Sequence, residues 1–316
     1  MKCAEKQSVG EMSREPDPQR RPENPFDVGP HRPEDPIELR LRHRSYRYRL
    51  PMTMETKLQM IGGGKMAEAL LGGLVRDGWA PAEALHVTEP VPERRAVLAA
   101  AHPGLSIGER PLEGVDAVIA VKPDVVDAVL PVLAGARVGR VLSIAAGVTT
   151  QAMEAGLPDG VPVVRSMPNT PALVGEGMAA IAAGRNAAAA DLEWAASILA
   201  AVGRVVTVAE HDLDAVTGVS GSGPAYVFHL AEALTAAGVA QGLAPEIADT
   251  LARQTLLGAA TLLVESGEDP AQLRVDVTSP NGTTQAGLEV FAANDFTGIV
   301  HAVVEAATAR SRELGR

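Results

Sequence analysis

The segment Ser279–Thr284 combines three hydroxyl side chains with a turn and contains no acid, base or metal ligand. Pro280 favours a turn, Asn281 and Gly282 both tolerate positive φ, and a helix is predicted to begin at Thr283. Free N–H groups at the start of a helix bind anions. The segment therefore indicates a site for a small carboxylate, although an ordinary turn and helix cap would explain it equally well.

The charge of the chain is acidic and unevenly distributed. The 316 residues have a formal net charge of −11, yet residues 1–53 carry 11 Lys and Arg against 9 Asp and Glu, which leaves 17 against 30 in the remainder. Aromatic residues make up only 3% of the chain. Such a body lacks the basic surface and the stacking platforms that nucleic acids need, so a small phosphate-bearing ligand is expected instead.

Cysteine content and hydropathy exclude further classes. Cys3 is the only cysteine, so the chain has no intrachain disulfide and no cysteine-based metal site, which fits a reducing, cytoplasmic setting. No early apolar run resembles a signal peptide, and Gly, Pro or charged residues interrupt the later runs before ~18 residues. We expect no metal and no membrane partner.

Residues 1–53 differ from the rest of the chain. They hold 8 of the 23 prolines and the arginine-rich run Arg40–Arg49, without sustained periodicity. They are interpreted as a disordered tail, as sequence before a true start at Met52 or Met54, or as a basic binding arm. None of these alternatives changes the prediction for the remaining chain.

From Lys57 onward, short apolar strands alternate with alanine-rich helical stretches. This pattern predicts an α/β domain over residues 54–209, with a doubly wound, mainly parallel sheet and helices on both faces. The predicted strands are Leu58–Ile61, Leu85–Thr88, Leu105–Ile107, Ala117–Val121, Val138–Ile144, Val161–Arg165, Ala179–Ala182 and Val205–Val208. The predicted helices are Met66–Asp77, Pro92–Ala101, Val125–Leu133 and Ala189–Val202.

After residue 209 the strand pattern ends, and residues 210–316 are predicted to form an all-α domain. Its long helices are Ala225–Gln241, Pro245–Glu265, Thr283–Phe291 and Thr297–Leu314. They are apolar around more of their circumference than one short bundle can bury. We therefore expect these helices to form a homodimer.

The loop after the first predicted strand fits the dinucleotide fingerprint G-x-G-x-x-G/A. Gly62 permits the tight turn, Gly64 lets the backbone approach a pyrophosphate, and Ala67 allows close packing of helix on strand. Lys65 and Met66 complete the loop and are counted with the cofactor residues. Because a strand precedes the loop and a helix follows, a Rossmann domain that binds NAD(H) or NADP(H) is expected.

The preference between the two cofactors stays open. Glu89 ends the second predicted strand, 27 residues after Gly62, where an acidic residue usually accepts hydrogen bonds from the adenosine ribose. Arg94 and Arg95 follow closely and could instead meet a 2′-phosphate. Glu89 thus favours NADH, and the arginines favour NADPH.

Two further strand ends lie at the same predicted edge of the sheet, where doubly wound folds bind ligands. Ala120–Pro123 closes the fourth strand and Ser143–Gly147 the fifth. Lys122 is one of only three lysines after residue 53, which indicates a role in binding, with a simple helix-start lysine as the alternative.

Taken together, the motifs resemble the pyrroline-5-carboxylate reductase family over residues 57–312. The resemblance rests on blocks in the family's order: Gly62–Ala67, Val121–Pro123, Ser143–Val148, Arg165–Ala172, Thr217–Tyr226 and Thr278–Gly287. It implies a Rossmann domain followed by a helical domain that interlocks with a twofold mate, often within larger rings. It also implies an active site between the cofactor of one subunit and the helical domain of its partner.

The resemblance implies residue roles as well. The loop containing Gly282, Thr283 and Thr284 would hold the substrate carboxylate, and Asn281 stands where the family usually has glycine. The implied cofactor residues are Ala120, Val121, Lys122, Pro123, Ala145, Ala146 and, within the Arg165–Ala172 block, Asn169. Asp276 lies just outside the motifs and is a further candidate for a polar contact to the cofactor. Ser222, Gly223 and Glu210 are further candidates for the substrate pocket.

The implied reaction is the last step of proline biosynthesis, reduction of 1-pyrroline-5-carboxylate to L-proline by NAD(P)H. Hydride adds to the carbon of a C=N bond whose nitrogen can arrive protonated from water, so the enzyme needs orientation more than proton transfer. Thr284 is the candidate catalytic residue, as a hydrogen-bond partner or proton donor to the ring nitrogen. A helix-cap role for Thr284 is the alternative.

Two other functions are compatible with the layout. A β-hydroxyacid dehydrogenase uses a lysine on a helix of its second domain, but no lysine follows Lys122, and His211, His229 or His301 would have to replace it. A non-catalytic dinucleotide-binding regulatory protein would have no reason to keep both the fingerprint and the Thr283–Thr284 pair.

Overall fold

The computed structural model describes residues 55–315. The three interpretations of residues 1–53 concern residues outside this range. The described chain begins directly before the first strand of the sheet and continues into the long helices.

An eight-stranded sheet forms the first part of the described chain, in the order β3-β2-β1-β4-β5-β6-β7-β8. All neighbouring strands are parallel except β6 and β7, which are antiparallel. The strands are β1 Leu58–Ile61, β2 Leu85–Thr88, β3 Ser106–Gly108, β4 Ala117–Ile119, β5 Val141–Ser143, β6 Val163–Pro168, β7 Gly177–Ala183 and β8 Gly203–Thr207. The predicted doubly wound, mainly parallel sheet is confirmed.

Helices cover both faces of this sheet. They are α1 Lys65–Arg76, α2 Pro92–Ala101, α3 Val126–Gly135, α4 Thr150–Ala155 and α5 Ala189–Ala200. Because side chains alternate along a strand, β1 feeds two cores. Leu58 and Met60 pack with α1 residues such as Leu70, whereas Ile61 packs on the opposite face with Leu130 of α3.

Some predicted bounds were wrong because burial is not the same as strand pairing. The fifth strand was expected to begin at Val138, which is buried but precedes Gly139 and follows Arg137, a turn residue with φ of 50°. Pairing with β6 begins only at Val141. The residues before β5 therefore form a loop in which Val138 packs against the core.

The second part of the described chain is helical, as predicted. It comprises α6 Leu213–Val216, a π-helical turn over Thr217–Gly221, α7 Gly223–Ala240, α8 Pro245–Ser266, α9 Pro270–Asp276, α10 Thr283–Ala293 and α11 Phe296–Leu314. No residue of α7, α9 or α10 is buried within the chain. Large apolar side chains such as Phe228, Leu257 and Val290 are each 62% exposed. This is more apolar surface than a monomer normally leaves in water.

Helix α11 packs against α6 and the π-helical turn at the start of the helical part. Ser311 Oγ donates to Asp214 Oδ1 at 2.7 Å, and Thr308 packs against Gly218 of the π-helical turn. A Cβ at Gly218 would lie 2.9 Å from the Val304 carbonyl oxygen. The absence of a side chain at Gly218 thus allows the two backbones to approach.

Candidate active site

The glycine loop after β1 has the geometry that the fingerprint predicts. Gly62 has φ of 101°, and a Cβ there would lie 2.9 Å from the Ala120 carbonyl oxygen. A Cβ at Gly63 would lie 2.6 Å from Leu98 Cδ1, so this position also excludes larger residues. Ala67 is fully buried against the sheet, as expected for the third small residue.

Gly64 differs from its two neighbours because nothing lies within 4 Å of the place where its Cβ would be. It is the N-cap residue of α1, and no side chain caps the helix there. The N–H groups of the first turn are therefore open to an anion. Lys65 is exposed at the first position of α1, while Met66 packs partly against the core.

A cavity of about 530 Å³ adjoins this loop at the carboxyl ends of β1, β2 and β4. It contains Glu89, Ala120, Val121 and Lys122, all predicted cofactor residues. Its apolar wall is formed by Val91, Pro111, Val125, Val129 and Val132. Size, position and an apolar lining with few polar groups fit the adenosine half of a dinucleotide.

The Glu89 carboxylate is held by the backbone on both sides of the cavity. Its Oε2 accepts from the Gly63 N–H and its Oε1 from the Val91 N–H, both at 2.9 Å. Glu89 is only 8% exposed. Two fixed hydrogen bonds orient the carboxylate and leave further lone pairs for a ligand.

Both arginines that could meet a 2′-phosphate have partners within the chain. Arg94 Nη2 pairs with Glu68 at 2.6 Å, and its Nε donates to the Gly63 carbonyl. Arg95 Nη2 pairs with Glu109 at 2.7 Å, and its Nη1 donates to the carbonyls of Glu89 and Pro90.

A second cavity of about 510 Å³ brings together residues from the sheet and the helical part. Pro123, Ala146 and Ser222, three predicted site residues, all line it, together with Arg310 and Leu314 of α11. Ala145 is buried behind this surface, where its N–H donates to Ser143 Oγ at 3.2 Å. Gly223 follows Ser222 as the first residue of α7.

The loop before α10 adopts the turn that the sequence predicts. Asn281 has φ of 58°, so asparagine occupies the left-handed conformation for which glycine is usually chosen. Gly282 does not use positive φ, since its φ is −86°. It must be small for another reason, because a Cβ there would lie 2.9 Å from the Ser279 carbonyl oxygen.

Gly282 is the N-cap residue of α10, so Thr284 is already the second residue of the helix. The helix-cap alternative for Thr284 is therefore wrong. Thr283 and Thr284 are both exposed. No side chain caps this helix start, and the first N–H that bonds back is that of Ala286, to the Gly282 carbonyl.

Three predicted site residues have their side chains engaged elsewhere. The Glu210 carboxylate accepts from the N–H and hydroxyl of Thr150 and pairs with Arg165. Asn169 accepts from the Met178 N–H and donates to Ser220. Asp276 accepts from Gln272 at 2.7 Å. Their roles in ligand binding stay predictions, since the structure gives each of these side chains an intrachain role.

Within one chain the structure does not bring the two halves of the site together. No residue of α10 lines either of the two cavities described above. The α10 loop therefore contributes to neither cavity within the described chain.

The sequence did not predict the apolar walls of the cofactor cavity or the ion pair of Glu109 with Arg95 beside it. The spacing of Val125, which directly precedes α3, and of Val129 and Val132 within α3 is an available signal, because Val125 and Val132 are 40% and 49% exposed. Glu109 follows β3 directly, a strand end that also lies at the ligand-binding edge.

Among residues 55–315, no three His, Cys, Asp or Glu side chains are grouped so that they could hold a metal ion. None of the helices described in this range is long and apolar enough to cross a membrane. His211 and His229 have side chains 84% exposed, and His301 is also exposed.

Comparisons with known proteins agree with this geometry. Residues 210–314 match the family model for pyrroline-5-carboxylate reductase dimerisation, and residues 57–147 match the model for NADP oxidoreductases, coenzyme F420-dependent. A pyrroline-5-carboxylate reductase of Synechocystis is 46% identical over 83% of this chain and all of the relative. That of Pseudomonas aeruginosa is 43% identical over 82% of this chain and 96% of the relative.

Solved structures show the same similarity. A pyrroline-5-carboxylate reductase from Coxiella burnetii superposes with a TM-score of 0.78 at 33% identity, covering 83% of this chain and 99% of that one. A Plasmodium falciparum pyrroline carboxylate reductase with NADP bound gives 0.70 at 30% identity, covering 83% and 98%.

Proposed function

The chain belongs to the pyrroline-5-carboxylate reductase family, and we propose that it binds the substrate carboxylate at the start of α10 and its cofactor beside the glycine loop. It is an NAD(P)H-dependent oxidoreductase that reduces the C=N bond of 1-pyrroline-5-carboxylate to give L-proline. The assignment of these roles to individual residues is the proposal.

The proposed substrate site is supported by the N-terminus of α10, which has no side-chain cap. Gly282 contributes no side chain, so the N–H groups of Thr283, Thr284 and Gln285 lie at a helix end without a side-chain cap. A carboxylate accepts hydrogen bonds from such N–H groups and gains from the helix dipole. The hydroxyl of Thr283 can donate a further hydrogen bond to the same anion.

The cofactor site fits a dinucleotide on structural grounds. The open space at Gly64 admits a pyrophosphate onto the first turn of α1, and Glu89 stands at the ribose position. When bound, the reduced nicotinamide supplies the hydride that the reaction requires. Ser222, Pro123 and Ala146 line the adjacent cavity and are proposed to limit how the substrate ring can lie there.

The chain's own residues need to orient the substrate rather than transfer a proton. An imine that is already protonated in water is converted to an amine by addition of hydride to its carbon alone. The exposed Thr284 hydroxyl can hold the ring nitrogen by a hydrogen bond. Fixing both ends of a small ring at the helix start sets the angle at which the imine carbon is approached.

We further propose a homodimer, and beyond it a larger homo-oligomer, in which the α10 loop of one protomer completes the cofactor site of its partner. Three observations support this arrangement: the unburied helices α7, α9 and α10, the separation of α10 from both cavities, and the dimerisation-model match. The single cysteine, Cys3, favours a reducing compartment, and we place the reaction in the cytoplasm.

The direct test is oxidation of NADH or NADPH by the full chain with 1-pyrroline-5-carboxylate, with proline identified as the product. Failure to oxidise either cofactor would remove the reductase function. Oxidation of a 3-hydroxy acid in the reverse direction would instead support a β-hydroxyacid dehydrogenase, a function that the absence of lysine after Lys122 disfavours.

The substrate site is tested by Thr284→Ala, which is expected to lower kcat/KM for the pyrroline by about 10- to 100-fold, as for loss of a hydrogen bond to a charged group. Thr250→Ala is the control, because Thr250 is an exposed helical threonine whose hydroxyl bonds only its own helix, at the Glu246 carbonyl. Equal kinetics in both variants would show that Thr284 does not contact substrate.

The shared site is tested by mixing subunits. A Thr284→Ala chain and a chain with a disrupted glycine loop should each have strongly reduced activity alone, while a mixed dimer regains one intact site and therefore more activity than either variant. No recovery on mixing, with subunit exchange confirmed, would place the whole site within one chain.

A further inference from the structure

Two carboxylates lie on one side of the cofactor cavity. Glu89 follows β2 and Glu109 follows β3, and both line the cavity. Lys122, the one Lys or Arg in that lining, follows β4. β2 and β4 lie on opposite sides of β1, so Lys122 lies on the other side of β1 from the two carboxylates. The β2 side is where doubly wound folds place the adenosine ribose.

The orientation of Glu89 suits a ribose with free hydroxyl groups. Its carboxylate is fixed by the N–H groups of Gly63 and Val91 and keeps lone pairs for the 2′- and 3′-hydroxyls. A 2′-phosphate at the same place would carry negative charge toward a buried carboxylate. Like charges that face each other at close range oppose binding.

The nearby arginines do not compensate for this repulsion. Arg94 is paired with Glu68 and Arg95 with Glu109, and their side chains are only 27% and 22% exposed. Each guanidinium already has its charge paired with a carboxylate and donates to a backbone carbonyl, so its attraction for a 2′-phosphate is weakened. Glu109 thus holds Arg95 in an ion pair at the cavity.

We propose that Glu89, supported by Glu109, makes this reductase select NADH over NADPH. The inference rests on the proposed reductase function and concerns its cofactor alone. The proposed cofactor, NADH, differs from the NADP bound in the structure of the Plasmodium falciparum relative.

The first test compares both cofactors in the full wild-type chain with the pyrroline substrate. The kcat/KM for NADH is expected to exceed that for NADPH by at least about tenfold. Equal use of both cofactors, or preference for NADPH, would contradict the proposed NADH selection and leave the reductase function intact. Oxidation of neither cofactor would contradict the reductase function itself.

The second test removes the charge. Glu89→Gln keeps one carbonyl acceptor for the backbone and should raise the NADPH-to-NADH ratio of kcat/KM about tenfold. Glu93→Gln makes the same change in the exposed first turn of α2, outside the cavity lining, and should leave the ratio unchanged. An unchanged ratio in Glu89→Gln, or an equal change in Glu93→Gln, contradicts the proposal.

Two further measurements keep the proposal testable if Glu89→Gln folds poorly. Glu109→Gln, whose parent side chain is 69% exposed, frees Arg95 and should shift the ratio toward NADPH. Calorimetry with the wild-type chain should show tighter binding of ADP-ribose than of its 2′-phosphate. No shift in Glu109→Gln, or tighter or equal binding of the 2′-phosphate, overturns the proposal.

Discussion

Glu210 accepts two hydrogen bonds from Thr150, one from its backbone N–H and one from its hydroxyl, each at 2.7 Å. Thr150 begins α4 on the sheet side, and Glu210 stands where the chain enters its helical part. Arg165, only 6% exposed on β6, lies 3.2 Å from the same carboxylate. The cluster fixes the start of the helical part against the sheet.

Replacement of Glu210 by alanine is expected to lower the free energy of unfolding by about 2 kcal/mol, because it leaves a nearly buried guanidinium and two donors without their acceptor. Urea denaturation at fixed protein concentration measures this, since an oligomer's stability depends on concentration. Asp212→Ala, at an exposed contact with His211 two residues away from Glu210, should change the free energy of unfolding little. If Glu210→Ala instead abolished substrate binding without loss of stability, its predicted substrate role would be the correct one.

Substitutions at two glycines of the glycine loop are expected to affect different properties, stability at Gly62 and cofactor binding at Gly64. Gly62→Ala should destabilise the protein by about 1–3 kcal/mol, because the new Cβ meets the Ala120 carbonyl at 2.9 Å and φ is 101°. Gly64→Ala should leave the Tm unchanged, since open space surrounds that position, yet raise the Kd of the cofactor about tenfold or more by obstructing the pyrophosphate.

Thermal unfolding and cofactor titration of the two variants test this contrast. A Gly64→Ala chain that binds cofactor like wild type would show that the dinucleotide does not approach α1 at its N-terminus. Wild-type stability in Gly62→Ala would mean that the turn relaxes without cost.

Much of the fold could be predicted because burial imposes a regular pattern on sequence. β1 and β2 have the predicted bounds, and the four long helices of the second part end within three residues of expectation. The short helices α4 and α9 were missed, because six or seven residues carry little periodicity. Both begin at side-chain caps, Thr149 and Asp269, which are signals that a sequence does offer.

The glycines of the candidate site and the position of Glu89 could be predicted from the sequence, whereas the hydrogen-bond partners of its carboxylates could not. The roles of Gly62 and Ala67 follow from local geometry, which residue type determines. The partners of Glu210 and Glu89 do not, since Thr150 is 60 residues from Glu210 and Gly63 is 26 residues from Glu89 along the chain. Such pairs form only when distant strands meet, and no spacing in the sequence records them.

Substitutions of Asn281 test whether the loop that precedes α10 binds the substrate. Asn281→Gly should retain full activity, because glycine adopts φ of 58° without strain. Asn281→Ala should cost about 1 kcal/mol in that conformation, which corresponds to about fivefold in an equilibrium constant, and should raise KM for the pyrroline with little change in KM for the cofactor. Steady-state kinetics with each substrate varied in turn distinguish the two. A rise in the cofactor KM alone would remove this loop from the substrate site.

The buried imidazole of His86 is expected to make the stability of the protein depend on pH. It lies 3% exposed on β2, its Nδ1 is 2.9 Å from Ser106 Oγ, and its buried Nε2 has no hydrogen-bond partner. Burial lowers the pKa of His86 below its usual value, and the nearby backbone of Arg110 opposes the effect only in part. The unfolded chain therefore binds a proton at a pH where the folded chain does not.

Stability should consequently fall as the pH drops through the ordinary histidine pKa of about 6.5 toward the lower pKa of folded His86. His86→Gln removes this proton-linked term, so its Tm should decline less between about pH 7.5 and about pH 5.5 than that of the wild type. His229→Gln, which removes an 84% exposed imidazole from α7, is the matched control and should keep the wild-type slope. Parallel slopes for wild type and His86→Gln would mean that the buried imidazole takes up its proton as readily in the folded state as in the unfolded chain.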